Sequence, residues 1–427
     1  MKTSRQLAAE ALLRVERGGY SQLVFDSLAK RAALPERDTQ FAAALFYGTL
    51  ERRVTLDHCI AHYACRPLTD TVAVILRMAL YQLLYLDKVP AHAAVDEAVR
   101  LTRTLGQGRA SGLVNGILRS FQRGGCVLPP VTGDAAARLA VNGSCNEELA
   151  RRLILWYGEE TAEEILSASF GRPPVYLRIN PLHTTKAELC GLLAQQGCEA
   201  VPLDTMSGCL LVSGDAAHTA AHAEGLFHIQ DLCSQQAALA LGAVPGERVL
   251  DVCAAPGSKS FTIAQEMKNE GSLLSCDLAE KRLQKVSQGA ARLGLTVIET
   301  RQNDGTVYDP AFGLFDRILC DVPCSGLGVL RRKPEIKLRT PDTFDALPAL
   351  QYKILSVSAN YLKKGGTLVY STCTINPEEN ERIIGRFLHE QKDFSPDPFD
   401  GENWAVTHLP AADGGDGFFI SRIRRNL

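Results

Sequence analysis

Asp251-Val252-Cys253-Ala254-Ala255-Pro256-Gly257-Ser258-Lys259 ends a short apolar run that begins at Val249 and leads into a helical stretch from about Ser260. A strand-to-helix turn of this kind opens a doubly wound α/β domain, in which nucleotide-like ligands bind beyond the carboxyl ends of the strands. Outward from it, apolar runs at Ser272–Cys276, Thr296–Thr300, Arg317–Cys320 and Thr367–Ser371 alternate with helical stretches. That alternation predicts a Rossmann-like parallel sheet covered on both faces. Ala405–Leu409 and Phe418–Ile423 are expected to add one antiparallel hairpin at its edge.

The turn lacks Gly-x-Gly-x-x-Gly, and the chain has no Gly-x-x-x-x-Gly-Lys-Ser/Thr phosphate loop. Paired glycines let a backbone approach a pyrophosphate, so their absence favours a nucleoside cofactor without phosphate, such as S-adenosylmethionine. The expected contacts are Cys253, Ala254, Ala255, Pro256, Gly257, Ser258 and Lys259. Asp277, just past the second run, is placed to accept hydrogen bonds from ribose hydroxyls, and Asp304, past the third, to take an adenine amino group. Either aspartate could instead cap a helix.

Two cysteines stand at the ends of neighbouring runs, in Asp321-Val322-Pro323-Cys324-Ser325-Gly326 and in Ser371-Thr372-Cys373-Thr374. Cys253, Cys276 and Cys320, inside the runs, read as small buried hydrophobes. The segments Asp251–Lys259, Asp321–Gly326 and Ser371–Thr374 together resemble the RNA cytosine-5 methyltransferase family. The likeness continues through Arg331–Lys337, Gln351 and Gly366–Tyr370, and backward through Gly225–Asp231.

The resemblance implies that Cys373 is the nucleophile, that Cys324 assists product release, that Asp321 contacts or protonates the cytosine ring and also touches the cofactor, and that Lys259 lies near both ligands. The chemistry needs such a thiol. Carbon 5 of cytosine is a poor nucleophile until a sulfur adds to carbon 6, and covalent catalysis then divides one hard step into easier ones. Asn376-Pro377-Glu378-Glu379 reads as a helix start that would favour a thiolate at Cys373, with the two glutamates opposing it. The basic run Arg331–Lys337 is expected to hold phosphates. Ser258 replaces the family's second glycine, and Leu338 replaces a common aromatic, which bears on substrate stacking.

Upstream, apolar residues recur at helical spacing from Thr3 to about Phe121, as in Leu7, Ala11, Leu12 and Val15. Arg37-Asp38, Tyr47–Leu50 and Gly112–Arg119 resemble the RNA-binding domain of the NusB family. That domain fused to the catalytic one is similar to the bacterial small-subunit ribosomal RNA methyltransferase B group of the cytosine-5 family, which implies 16S ribosomal RNA as the partner. The expected division is an all-helical RNA-binding domain at 1–125, a linker at 126–145, a small α+β RNA-contacting unit at 146–230, and the methyltransferase domain at 231–427.

Composition agrees with this multidomain α plus α/β reading. The chain of 427 residues is 46% apolar and 22% charged, as expected of several packed cores. Residues 1–125 hold 17 Lys and Arg against 11 Asp and Glu, and the rest 29 against 37, so the amino-terminal end suits a polyanion. The 13 cysteines include no Cys-x-x-Cys pair, which points to reduced thiols and away from a structural metal. The apolar stretch Thr71–Leu86 carries Arg77 and is too short to cross a bilayer. A cytoplasmic monomer without a membrane anchor is expected. The competing readings are the same chemistry on transfer RNA or another RNA, a DNA cytosine methyltransferase, and a non-catalytic ribosome-assembly factor.

Overall fold

The computed structural model describes residues 2–19, 21–411 and 414–427. It divides into two compact units: residues 1–171 with 330–341, and residues 172–329 with 342–427.

The first unit is helical. Ser4–Glu16 begins at a capping box in which Thr3 Oγ1 accepts from the Gln6 amide while the Gln6 side chain accepts from the Thr3 amide. Asp70–Tyr85, capped by Thr69, is the apolar stretch noted in the sequence. It buries Val72, Ile75, Leu76 and Ala79 in the helical core, and its Arg77 reaches out to Asp57 at 2.6 Å and Glu16 at 2.8 Å. Leu7, Ala11 and Leu12 face the same core, as their spacing predicts. Within the stretch expected to be a linker, Asp134 caps a helix, Ala135–Gly143. Glu147–Tyr157 and Glu159–Ser167 follow in the same unit.

Residues 330–341 belong to this unit although they lie between the two cysteines in sequence. Their basic run does not present Lys337 to solvent: the side chain is fully buried. Its Nζ donates to the Glu51 carbonyl at 3.1 Å, the Gly143 carbonyl at 3.2 Å and Ser169 Oγ at 3.2 Å, and sits 4.0 Å from the Phe170 ring centroid. Three fixed acceptors and an aromatic face meet the three donors of an ammonium, so this lysine pins two helix ends and does not bind phosphate. Leu338 packs against the helical core.

The second unit contains two sheets. In the smaller, β1 (Val175–Ile179), β2 (Glu199–Pro202), β3 (Cys209–Ser213) and β4 (Phe227–Ile229) run in the order β2-β3-β1-β4, all antiparallel. Its helix Lys186–Gln195 starts at a Thr185–Glu188 capping box. The edge strand β2 escapes sequence reading because it is mostly exposed and ends in Pro202, so it shows no apolar alternation.

The larger sheet holds β5 (Arg248–Asp251), β6 (Ser272–Asp277), β7 (Ile298–Gln302), β8 (Phe315–Asp321), β9 (Leu362–Thr372), β10 (Phe394–Pro396), β11 (Ala405–His408) and β12 (Phe418–Arg425). The order is β10-β12-β9-β8-β5-β6-β7, with β11 paired to β12. β5 to β9 are mutually parallel, and β12 lies antiparallel on β9. The expected hairpin, β11 with β12, is present at the edge of the sheet, and β10 pairs with the remaining stretch of β12 on the same side as β11. The chain reverses direction of winding between β6-β7 on one side of β5 and β8-β9 on the other, which opens the crevice at the strands' carboxyl ends.

Replacing Lys337 by Met keeps the stem's volume but leaves two carbonyls without their donor. Destabilisation of about 2–3 kcal/mol is expected in urea unfolding followed by helical signal. Burial lowers the Lys337 pKa to about 7, so between pH 7 and 8 the unfolded chain binds more protons than the folded one at this group. The difference in stability between the parent and Lys337→Met should therefore widen in the parent's favour as the pH rises.

Candidate active site

At the end of β5 the chain turns through Val252–Gly257 into the helix Ser258–Glu266. Gly257 occupies the helix cap with φ +113°, and a Cβ there would lie 2.6 Å from the Phe261 ring, so both conformation and space demand glycine. Ser258, the departure from the family pattern, is the first helical residue, and its carbonyl accepts from Thr262 Oγ1 at 3.2 Å. Ala254 and Ala255 are buried, while Cys253 is half-buried.

Asp277 ends β6 and is buried; it accepts from the Ala279 amide at 3.0 Å and pairs with Arg282 at 3.1 Å. Arg282 also donates to the Ala255 carbonyl at 2.6 Å, tying the second strand's end to the first turn. Arg282 belongs to no motif, and its only signal in the sequence is its place in the first turn of the helix Glu280–Arg292. Asp304 is exposed beyond β7 and accepts from the Thr306 amide and hydroxyl at 2.9 and 2.7 Å.

β8 and β9 are parallel with Asp321 opposite Ser371, so their carboxyl ends lie side by side. The turns beyond them bring Cys324 Sγ to 3.3 Å from Cys373 Sγ. Beside the thiols, Lys259 Nζ donates to Asp321 Oδ2 at 2.7 Å, and Ser371 Oγ holds the other carboxylate oxygen at 2.8 Å. All four residues expected to be catalytic therefore converge.

Electrostatics separates these groups. Burial opposes a charge on Lys259, but the Asp321 carboxylate and the neighbouring Cys373 and Asp251 outweigh it and raise its pKa. The Cys324 thiol is pushed well up by its hydrogen bond to Cys373, by burial, and by Glu379 and Asp321. Asp251, beneath the turn, is driven to about 7 by burial, with Asp321 adding to the rise and the 2.6 Å bond from Ser260 opposing it.

The segment expected to open a helix at Asn376 does not. Residues 376–380 form turns, with the Glu379 amide donating to the Asn376 carbonyl at 3.0 Å, and the helix is Glu381–Glu390. No helix N-terminus therefore begins just after Cys373. A separate cavity of about 740 Å³, lined in part by Arg178, Lys186, Glu266 and Arg422, contains none of these site residues.

A doubly wound sheet with this crevice, two acidic residues beyond neighbouring strands and no phosphate cradle has the architecture of an S-adenosylmethionine-dependent methyltransferase. Comparison with known proteins narrows the class. Residues 238–424 match the 16S rRNA methyltransferase RsmB/F family model, residues 2–123 the NusB family, and residues 147–217 the ferredoxin-like domain of RsmF/B-like methyltransferases. A Bacillus subtilis (strain 168) relative named "Probable ribosomal RNA small subunit methyltransferase B" is 39% identical, covering 99% of both chains. Ribosomal RNA small subunit methyltransferase B of Pectobacterium carotovorum is 34% identical over the full length of both. A methyltransferase homolog of Pyrococcus horikoshii is similar in structure, with a TM-score of 0.60 and 28% identity over 69% of this chain and 100% of that one.

The chain belongs to the ribosomal RNA small subunit methyltransferase B family. Its cofactor is S-adenosylmethionine, and the donor set fits it: carboxylates suited to hydroxyl and amino groups, with a turn too poor in glycine for a pyrophosphate. Among the described residues no helix is long and apolar enough to cross a membrane, and no cluster of three or more His, Cys, Asp or Glu could hold a metal ion.

The burial of Asp251 makes a measurable prediction. Its folded pKa near 7 exceeds the ordinary carboxyl value, so between about pH 4 and 7 the folded state holds the extra proton and stability falls as the pH rises. The slope is at most about 1.4 kcal/mol per pH unit. Asp251→Asn should remove this slope, so its stability relative to the parent should increase from pH 5 to pH 7 in urea titrations and level off above.

Proposed function

We propose that this protein methylates carbon 5 of a cytosine in 16S ribosomal RNA through a covalent adduct with Cys373, and that Cys324 assists release. The observation that carries this is the 3.3 Å approach of the two sulfurs at the ends of adjacent parallel strands, beside the Lys259–Asp321 pair. The Cys373 sulfur adds to carbon 6, and the ring's electrons move toward carbon 5 and nitrogen 3, where the Asp321 carboxyl is the group to share a proton. When bound, S-adenosylmethionine supplies an electrophilic methyl group to carbon 5. Carbon 5 then loses its proton, the ring double bond re-forms, and the pair of the C6–S bond returns to Cys373.

The remaining residues position these groups. Lys259 fixes the orientation of Asp321 and gives the site a cation next to the nucleophilic sulfur. Cys253 to Lys259 line the cofactor's methionine end, Asp277 its ribose and Asp304 its adenine, with Asp321 at the reacting end. The basic helical region at 1–125 and the α+β unit at 146–230 hold the RNA, with 126–145 between them and the catalytic region at 231–427. A stacked cytosine hides the face that a thiol must attack, so the target is a base in a loop or one drawn out of its stack. The relatives' names and the NusB-like region together support ribosomal RNA as the substrate.

Three measurements test this. With methyl-tritiated cofactor and total cellular RNA, label should appear at carbon 5 of one cytosine in 16S RNA; label only on another RNA or another atom overturns the substrate or the chemistry. On denaturing gels, Cys373→Ser should abolish both turnover and adduct, while Cys324→Ser should leave a trapped protein–RNA complex. An adduct with Cys373→Ser alone would reverse the two assignments. Binding should also weaken steeply with salt, and a slope near zero in a plot of log affinity against log salt would exclude the phosphate contacts.

A further inference from the structure

Beneath the two cysteines lies a buried carboxylate for which the reaction as described has no use. Glu379 is fully buried. Its Oε2 accepts from the Ser325 amide at 2.9 Å and from Gln351 Nε2 at 2.8 Å, and its Oε1 from Asn376 Nδ2 at 2.9 Å. These three donors are neutral. They come from the turn after β8, the helix Leu347–Ala359 and the turn after β9, so one side chain ties together both cysteine turns and the helix packed beside them.

The tie is reinforced around it. Gln351 Nε2 also donates to the Pro323 carbonyl at 2.9 Å, next to Cys324. Ser325 Oγ and Thr374 Oγ1, each one residue past a cysteine, are 2.7 Å apart, and the Gly328 amide donates to the Cys373 carbonyl at 3.0 Å. On the β9 side, the Tyr370 hydroxyl donates to the Glu379 carbonyl at 2.6 Å, and Asn380 Nδ2 to the Thr374 carbonyl at 2.9 Å. A buried carboxylate with only neutral donors is costly to keep. What sets this carboxylate apart is where its contacts end, on the two turns that carry Cys324 and Cys373.

We propose that Glu379 is a positioning residue for product release: it locks the Cys324 turn against the Cys373 turn so that the Cys324 S–H stays within reach of the sulfur that leaves carbon 6. This rests on the adduct chemistry proposed above. Loss of the carbon 5 proton supplies the pair that re-forms the ring double bond and sends the C6–S pair to Cys373; the Cys324 proton moves onto that sulfur and the carbon 5 proton takes its place on Cys324. Cys373 then gives its proton to solvent before the next attack, so one proton leaves for each methyl group transferred. A negative charge beside Cys324 also favours its thiol form, which fits a proton donor and not a second nucleophile.

The test runs the parent, Cys324→Ser, Glu379→Ala and Glu379→Gln with substrate RNA and labelled cofactor. It reads turnover, covalent complex on denaturing gels, thermal midpoint and cofactor affinity. Glu379→Ala should keep cofactor affinity within about twofold, lose about a hundredfold in turnover, the scale of a mispositioned proton donor, and accumulate the covalent complex as Cys324→Ser does. Glu379→Gln, whose amide oxygen can still accept from Ser325 and Gln351, should recover part of the turnover while still showing the complex. Parent-like turnover in Glu379→Ala overturns the proposal, as does joint loss of turnover and complex in a protein with the parent's thermal midpoint. If Glu379→Ala does not fold, Glu379→Gln decides, and turnover at the parent's rate with no complex overturns it. Absence of a complex with Cys324→Ser would instead sink the adduct chemistry itself.

Discussion

The parallel pairing of β8 with β9 is the constraint on which the site depends. With Asp321 opposite Ser371, each strand delivers its turn to the same height of the crevice, and the cysteine in each turn follows within three residues of that pair. A shift of register by one residue would reverse which face every side chain presents and part the sulfurs. Burial protects the register: Ile318, Leu319, Cys320, Leu368, Val369 and Tyr370 are all in the core, so slippage would bring polar neighbours inside.

The same arrangement crowds charge into a small volume. Asp251 and Asp321 lie at the ends of neighbouring strands, with Lys259 as the nearby cation and Glu379 farther along under the second turn. One lysine does not neutralise three carboxyl groups in a site of low dielectric. The protein meets the excess in different ways: Asp251 is raised toward its neutral form by burial, Asp321 is paired, and Glu379 is surrounded by N–H donors. Each solution has a different consequence for the protons nearby, which is how adjacent acids and thiols acquire separate roles.

Much of this was legible in the residues. The parallel strands show as short apolar runs because both faces of each are covered, and the turn at Asp251–Lys259 and the two cysteines stand at the ends of such runs. What escaped was fixed by contacts distant in sequence. Lys337 looks like one more cation in a basic run, and only the fold brings the Glu51 and Gly143 carbonyls to its amine. The motif at Asn376 resembles a helix start because Asn, Pro and two Glu suit a first turn, yet Glu379 turns inward to meet Ser325, and the helix begins at Glu381. β2 and β10 are short and carry proline, so they lack the pattern that betrays a strand.

Those departures share a cause. Local pattern predicts a residue well where its neighbours in sequence are also its neighbours in space, and fails where a polar side chain is buried to satisfy a partner far along the chain. Lys337 and Glu379 are both such side chains: each has several hydrogen-bond partners, spread over distant segments, and each is expensive to bury. Local expectation breaks down most usefully at sites where stability is traded for function. The contacts of Glu379 end on the turns that carry the two neighbouring sulfurs. Lys337 lies in the helical unit, where its donors close off two helix ends, and its cost is repaid in fixed geometry alone.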